Sequence, residues 1–226
     1  MTDIKLYITG GAVRDKFLGL KSKDIDYSVE APSYEAMKKY IESQGKIYLE
    51  TPEYFTIRAK MPNLGDADFV LCRKDGAYSD GRRPDEVEMG TIYDDLARRD
   101  FTINSFCIDV ETNKVIDPFN GLEDLKNKII RCTGSVERIK EDSLRMLRAI
   151  RFSITKGFSI DNSIIKILEK DYVLLYNISV ERIREELLKC FEFDTVLTLN
   201  TFDKFKDLRN YIFNKFPMIL KPSIIG

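Results

Sequence analysis

The chain has 226 residues, of which 43% are hydrophobic and 32% charged, and its 36 basic and 37 acidic side chains give a net charge of −1. This composition is typical of a globular protein and excludes collagen-like, low-complexity and wholly disordered classes. Because there is no histidine, Ser-His-Asp and Cys-His catalysis and any zinc site that needs imidazole are also excluded. Catalysis by this chain therefore has to use carboxylates, cationic side chains and, where a metal takes part, a hard ion.

The sequence shows no sign of a membrane segment or a disulfide framework. No apolar run approaches the roughly 18 residues that a membrane span requires, and the first residues lack the pattern of a secretory signal. The four cysteines are widely separated, at Cys72, Cys107, Cys132 and Cys190. We therefore expect a protein of a reducing compartment, the cytoplasm.

Apolar periodicity predicts strands in the first half of the chain and helices in the second. The predicted strands span residues 4–9, 25–29, 46–50, 54–60 and 67–72, with helices predicted from 10 to 19 and from 33 to 44. Residues 74–90 have no apolar period and predict a loop. After residue 120, apolar residues recur every three or four positions, and the last helix-like segment spans about residues 203–216. These patterns predict an α+β fold, a mixed sheet with flanking helices in residues 1–133 followed by an all-helical unit in residues 134–226.

Gly10-Gly11 lies between a predicted strand and a predicted helix. Without a Cβ, the backbone there can approach a phosphate closely, and the free N–H groups of a helix start favour an anion. Taken alone, this pair is more often a simple turn.

Asp24 and Asp26 are two positions apart at a predicted strand and therefore project from one face. Two neighbouring carboxylates with no basic residue between them repel each other unless a cation lies between them. Mg²⁺ is the ion that such a site would take. Asp68, on a later predicted strand, is a candidate third oxygen ligand for a two-metal arrangement. The alternative is a pair of solvent-exposed aspartates.

Arg98 and Arg99 precede Asp100 and Asn104, which would lie one turn apart on a helix. Such a group can bind a triphosphate and a ribose through bidentate hydrogen bonds. The alternative is a charged helix start. Downstream, residues 117–125 (DPFNGLEDL) predict a turn that leads into a short helix.

The segment EDSLRMLR (141–148) predicts an amphipathic helix. Leu144 and Leu147 would face a core, and the opposite face would present Glu141, Asp142, Arg145 and Arg148. An aspartate and an arginine side by side can read the edge of a nucleobase without a template. Ion pairing on an exposed helix is the alternative, and the local excess of basic residues over 128–156 likewise fits either a polyanion site or a solvated face.

The order of these motifs resembles that of class II tRNA nucleotidyltransferases (CCA-adding enzymes) and the related bacterial poly(A) polymerases, of the polymerase-beta-like nucleotidyltransferase superfamily. The resemblance covers roughly residues 5–190 and rests on GGAVRD, D-x-D, RRDFTIN, DPFNGLEDL, EDSLRMLRAIRF and ERIREEL. It implies a nucleotidyltransferase head followed by a helical neck. Family members continue into body and tail domains, so the resemblance leaves open whether this chain is a fragment or a short enzyme.

The resemblance also implies roles for individual residues. Asp24 and Asp26 match the metal-binding catalytic pair, and Asp68 matches the third carboxylate. The residues that match nucleotide-binding positions are Gly10, Gly11, Arg14, Arg98, Arg99, Asp100, Asn104, Glu141, Asp142, Arg145 and Arg148. Asp80, Gly81 and Arg82 fall in a segment that matches the flexible loop used in switching from C to A addition. Glu181, Arg182, Glu185 and Glu186 match a neck motif that supports the base-reading helix.

The activity that the resemblance implies is the addition of CMP and AMP from CTP and ATP to a tRNA 3′ end, with two Mg²⁺ ions. The implied partners are the tRNA acceptor end and the two nucleotides, with no membrane, and a homodimer is left open. Two alternatives remain: a poly(A) polymerase of the same family, and a catalytically silent RNA-binding remnant.

Overall fold

The computed structural model describes residues 4–20, 25–62, 65–76 and 86–215. Contacts divide the chain into two units, Met1–Glu141 and Asp142–Gly226. The predicted boundary after residue 133 stays a prediction. In the structure, residues 138–141 lie with the first unit because Ile139 is fully buried and Arg138 donates a hydrogen bond to the carbonyl of Ala97 at 2.6 Å.

The described part of the first unit contains a seven-stranded mixed sheet. Its strands are β1 (Lys5–Thr9), β2 (Ile25–Glu30), β3 (Lys46–Thr51), β4 (Thr56–Met61), β5 (Gly65–Leu71), β8 (Cys107–Asp109) and β9 (Val115–Ile116). Their order is β3-β4-β5-β2-β1-β8-β9, with β2 and β5 parallel and the other neighbours antiparallel. This confirms the predicted mixed sheet, whose five N-terminal strands lie at or within about two residues of their predicted positions.

The described part of the first unit also contains five helices, and the first three of them contact strands of this sheet. They are α1 (Gly10–Phe17), α2 (Tyr34–Gln44), α3 (Ile92–Ala97), α4 (Gly121–Lys126) and α5 (Arg138–Glu141). Ser33 caps α2 by accepting a hydrogen bond from Ala36, and Met37 and Ile41 on its buried face pack into the core formed by the sheet. Thr91 and Asp94 form a capping box at the start of α3. The predicted helices 10–19 and 33–44 are thus present.

The predicted loop at 74–90 is partly wrong. Its two described ends pair as short antiparallel strands, β6 (Arg73–Asp75) and β7 (Val87–Met89). Three-residue strands are too short to show an alternating pattern, so periodicity does not detect them. The first unit also contains β10 (Ile129–Ile130).

The described part of the second unit is mainly helical. Its elements are α6 (Leu144–Lys156), β11 (Ser159–Ile160), α7 (Asn162–Lys170), α8 (Val180–Phe193), α9 (Thr195–Asp203) and α10 (Lys206–Lys215). Leu144, Leu147, Ile150 and Ile154 of α6 are all buried, as their spacing predicts. The sequence pattern indicated one helix-like segment near 203–216, and α9 was missed. None of the helices in the described part of the chain has both the length and the hydropathy that a membrane span requires.

Candidate active site

Three neighbouring strands place charged side chains in one row across the sheet. Asp26 on β2 lies in register with Asp68 on β5, and Asp68 lies in register with Arg58 on β4. Register partners project from the same face of a sheet. All three residues line a cavity of about 500 Å³. The structure therefore brings two of the predicted carboxylates together, while the third, Asp24, lies outside the described residues.

The donors in this row fit a hard divalent cation. Asp26 and Asp68 are partly exposed and line the same cavity, and carboxylate oxygens are the ligands that Mg²⁺ prefers. Among the described residues, no group of three or more acidic, histidine or cysteine side chains is placed to hold a metal. The pair from β2 and β5 is therefore the part of the predicted ligand set that the structure shows.

Gly10 begins α1 directly beside this row. Its φ is +64°, and a Cβ there would lie 3.1 Å from Nη1 of Arg99 and 3.3 Å from Oδ2 of Asp26. Thr9, the residue that caps α1, makes no side-chain cap hydrogen bond, and the buried Nε of Arg99 has no hydrogen-bond partner among the described residues. A helix start without a side-chain cap and a neighbouring arginine suit a phosphate group.

The close approach at Gly10 predicts a measurable loss of stability for Gly10→Ala. A left-handed conformation costs a non-glycine residue about 1–2 kcal/mol, and forcing a side chain into an occupied space typically adds about 1–3 kcal/mol. Gly19→Ala is the matched control, since its φ is +71° but no atom of the described residues lies within 4 Å of a Cβ there. Urea unfolding should show that Gly10→Ala loses at least about 1 kcal/mol more than Gly19→Ala. Equal losses in the two variants would mean that Arg99 and Asp26 adjust without cost.

Arg98 and Arg99 are fixed by an aspartate that no sequence motif indicated. Asp95 on α3 is fully buried and accepts hydrogen bonds from Arg98 Nη2 at 2.6 Å, Arg99 Nη2 at 2.9 Å and Ser28 Oγ at 2.8 Å. Burial by itself raises the pKa of Asp95, but the two guanidinium groups outweigh it and hold the pKa well below its usual value. The spacing of Asp95 from the two arginines, three and four residues on a helix, was the available signal.

Arg14 and Asn104 connect the glycine motif with RRDFTIN. Nη1 of Arg14 donates to Oδ1 of Asn104 at 2.7 Å, and Nδ2 of Asn104 donates to Oδ1 of Asp100 at 2.9 Å. The helix considered for this motif is wrong, because α3 ends at Ala97 and residues 102–104 form a 3₁₀ turn. Asp100 and Asn104 meet nevertheless, so the structure assembles the predicted group by a different backbone path.

The DPFNGLEDL segment supports this group. Asp117 accepts hydrogen bonds from the backbone N–H groups of Gly121 and Leu122, at 2.7 and 2.9 Å, and fixes the start of α4. A Cβ on Gly121 would lie 2.1 Å from the carbonyl oxygen of Thr102, so α4 packs directly on the 3₁₀ turn. The turn and the short helix predicted for this motif are therefore present.

The predicted flexible loop is not described by the structure. Asp80, Gly81 and Arg82 lie outside the described residues.

The single helix predicted over EDSLRMLR is wrong, because the backbone breaks between α5 and α6. Oδ1 of Asp142 accepts from the backbone N–H of Leu144 at 3.2 Å, and such a local bond competes with helix continuation. The angular relation predicted between Glu141 and Arg145 therefore does not apply. Arg145 was also expected on the exposed face, yet it is only 7% exposed.

Within the second unit, α8 supplies partners for the charged residues of α6 and its start. Nη2 of Arg182 donates to Oδ2 of Asp142 at 3.0 Å. Glu186, which is buried, accepts from Nε of Arg151 at 2.6 Å and lies 3.8 Å from Nη1 of Arg148. Part of the positive charge over 128–156 is thus neutralised by an acid outside that stretch, and less of it remains available for a polyanion.

Comparisons with known proteins show which proteins the chain is similar to. A family model described as the poly A polymerase head domain matches residues 6–131. The CCA-adding enzyme of Lactobacillus helveticus is 37% identical over 185 residues, which cover 81% of this chain and 45% of that enzyme. The chain thus spans about half the length of the curated relatives it matches.

Solved structures give the same result. The Thermotoga maritima CCA-adding enzyme complexed with tRNA superposes with a TM-score of 0.78 at 28% identity, over 98% of this chain and 50% of that one. The Bacillus stearothermophilus CCA-adding enzyme in complex with CTP gives a TM-score of 0.77 at 29% identity, over 89% and 48%. The nucleotidyltransferase family is generally metal-dependent, which suits the carboxylate row. The resemblance drawn from the motif order is confirmed, and the chain belongs to the family of the poly A polymerase head domain.

Proposed function

We propose that this chain is a template-independent RNA nucleotidyltransferase that adds CMP and AMP, from CTP and ATP, to the 3′ end of tRNA. The observation that carries the proposal is the alignment of Asp26 and Asp68 in one cavity beside the helix start at Gly10. The similarity to CCA-adding enzymes over 81% of the chain supports the choice of reaction.

The proposed cofactor is a pair of Mg²⁺ ions held by Asp24, Asp26 and Asp68. When bound, they would activate the 3′-hydroxyl and neutralise charge on the reacting phosphates. The residues of the chain position the reactants, which is most of the work in phosphoryl transfer. No histidine is required, in agreement with the composition.

The triphosphate is assigned to the start of α1 and the arginines beside it. The N–H groups of Gly10 and Gly11 would bind phosphate oxygens, and Arg99 would donate from its Nε, which has no partner within the described ranges. Asp95 keeps Arg98 and Arg99 in place before the nucleotide arrives, so that little side-chain freedom is lost on binding. Arg14 holds Asn104 and, through it, Asp100, which we assign to the ribose.

Base selection is assigned to Asp142 and Arg145, with Glu141 and Arg148 as accompanying residues. The bond from Arg182 to Asp142 and the burial of Arg145 support this assignment, because fixed donors and acceptors discriminate between base edges. The loop at Asp80, Gly81 and Arg82 is assigned to the change from C to A addition.

The experiment that tests the proposal is the product length on a tRNA that lacks its terminal CCA. Three added nucleotides are expected. A long A tail would instead identify a poly(A) polymerase, and no addition, together with RNA binding, would identify the silent remnant.

The acceptor end of tRNA is the proposed RNA partner. The cytoplasm is the proposed location, which suits four cysteines with free thiols. A mass measurement in solution decides whether a homodimer forms.

Removing the Arg145 side chain is expected to relax base choice. A side chain that reads a base edge contributes about 1–3 kcal/mol of discrimination, so the preference of Arg145→Ala for CTP over UTP should fall about tenfold. Arg184 is an exposed arginine of α8 and provides the control. Arg184→Ala should keep the preference for CTP over UTP. Unchanged selectivity in a folded Arg145→Ala protein would assign Arg145 to packing alone.

A further inference from the structure

The cavity that contains Asp26 and Asp68 has an uneven charge distribution. Among its described lining residues, a single side chain is basic, Arg58, whereas four are aspartates: Asp15, Asp26, Asp66 and Asp68. A divalent cation is attracted by such a lining, and the one positive charge opposes it. The position of Arg58 in this cavity therefore affects how strongly the cavity binds a metal ion.

Arg58 binds both oxygens of Asp68. Its Nε lies 2.9 Å from Oδ1, and its Nη2 donates to Oδ2 at 2.9 Å. The two residues are register partners on adjacent antiparallel strands, so the backbone presents them to each other. This side-on geometry is the most specific that an arginine and a carboxylate form.

The pair compensates for a repulsive neighbour. Asp26 is the register partner of Asp68 on the other side, and like charges directly opposite each other destabilise a sheet. Arg58 thus supplies, in the protein without metal, the positive charge that a metal ion would supply when bound. Because the ion and the guanidinium need the same carboxylate oxygens, they compete.

We propose that Arg58 is a positioning residue that holds Asp68 in the metal-free enzyme and competes with the metal ion for its carboxylate. The inference rests on the proposed function for the assignment of a metal to this row. It makes metal affinity lower than the aspartates alone would give. Metal binding then requires the Arg58–Asp68 bond to open.

The test is the dissociation constant of Mn²⁺ alone, measured by calorimetry on the full chain without nucleotide or RNA. Arg58→Met and Arg58→Gln should each bind Mn²⁺ about five- to tenfold more tightly than the unaltered chain, because Asp68 no longer has to leave a bidentate ion pair before it binds the metal. Arg58→Lys keeps the charge but loses the fork and should give a smaller gain. The matched control is Lys38→Met, which removes a cation paired with Glu50 at 3.0 Å outside the cavity lining and should change the constant less than twofold.

A second arm separates competition from a general change in charge. In an Asp68→Asn background, Arg58→Met should no longer tighten Mn²⁺ binding, because the contested carboxylate is absent. Unchanged or weaker binding in Arg58→Met and Arg58→Gln, or the same gain in the Asp68→Asn background, would overturn the proposal. Failure of nucleotide addition by the unaltered chain would remove the proposed function but leave this binding result standing, so the two failures are distinguishable.

Discussion

Asp26→Ala is expected to lower the rate of nucleotide addition at least about a hundredfold, as is typical when a preorganised electrostatic group is removed from an active site. Asp26 shares its row with Asp68. Without Asp26, the proposed metal site keeps one of its two described carboxylates. Asp26 is partly exposed, so the free energy of unfolding should change by less than about 1 kcal/mol. The measurements are single-turnover CMP incorporation and urea unfolding of the same protein.

The control for this variant comes from the same cavity. Asp66 also lines it and lies on the same strand as Asp68, two residues earlier, where no metal-binding role is assigned. Asp66→Ala should retain most of the rate. If a folded Asp26→Ala protein kept more than about a hundredth of the rate, this result would contradict the catalytic role proposed for the row.

Asp95→Asn is expected to produce the largest loss of stability. Removing one partner of a buried ion pair costs about 3–5 kcal/mol because the remaining charge stays buried without compensation. Here two guanidinium groups and Ser28 all donate to one fully buried carboxylate. Since Arg98 and Arg99 are also assigned to the triphosphate, the KM for CTP should rise in any protein that remains folded.

The pH dependence of this loss follows from the lowered pKa of Asp95. A carboxylate whose pKa is lower in the folded state contributes its full stabilisation above its unfolded value, about 3.9, and loses it as the pH falls toward the folded value. The difference in unfolding free energy between the unaltered chain and Asp95→Asn should therefore be constant from about pH 8 to 5 and shrink only below about pH 4.

The neighbouring residue provides the control for both effects. Asp94 belongs to the capping box of α3 and is only partly buried, so Asp94→Asn should cost about 1 kcal/mol, the usual contribution of a cap. A loss in Asp95→Asn no larger than that in Asp94→Asn would contradict the role given to the buried cluster.

Local patterns predicted the helices and strands well where they are long enough to show a period. Alternation of apolar residues was enough to predict the strands from β1 to β5. Gly19 was enough to predict the end of α1, and the capping residue Ser33 the start of α2. Short elements escaped because three residues carry no period, as with β6 and β7. The break between α5 and α6 escaped for another reason: the side chain of Asp142 competes for a backbone N–H, which a helical wheel does not represent.

The sequence by itself determined which residue types are available for chemistry: it has no histidine, and the order of its carboxylate and arginine motifs resembles that of the nucleotidyltransferase family. Only the tertiary structure decided which side chains meet. The row of Asp26, Asp68 and Arg58 depends on the register of three strands, and the bond between Arg14 and Asn104 joins residues 90 positions apart. Such contacts are set by strand pairing and core packing across the whole unit, and no local window of sequence contains that information.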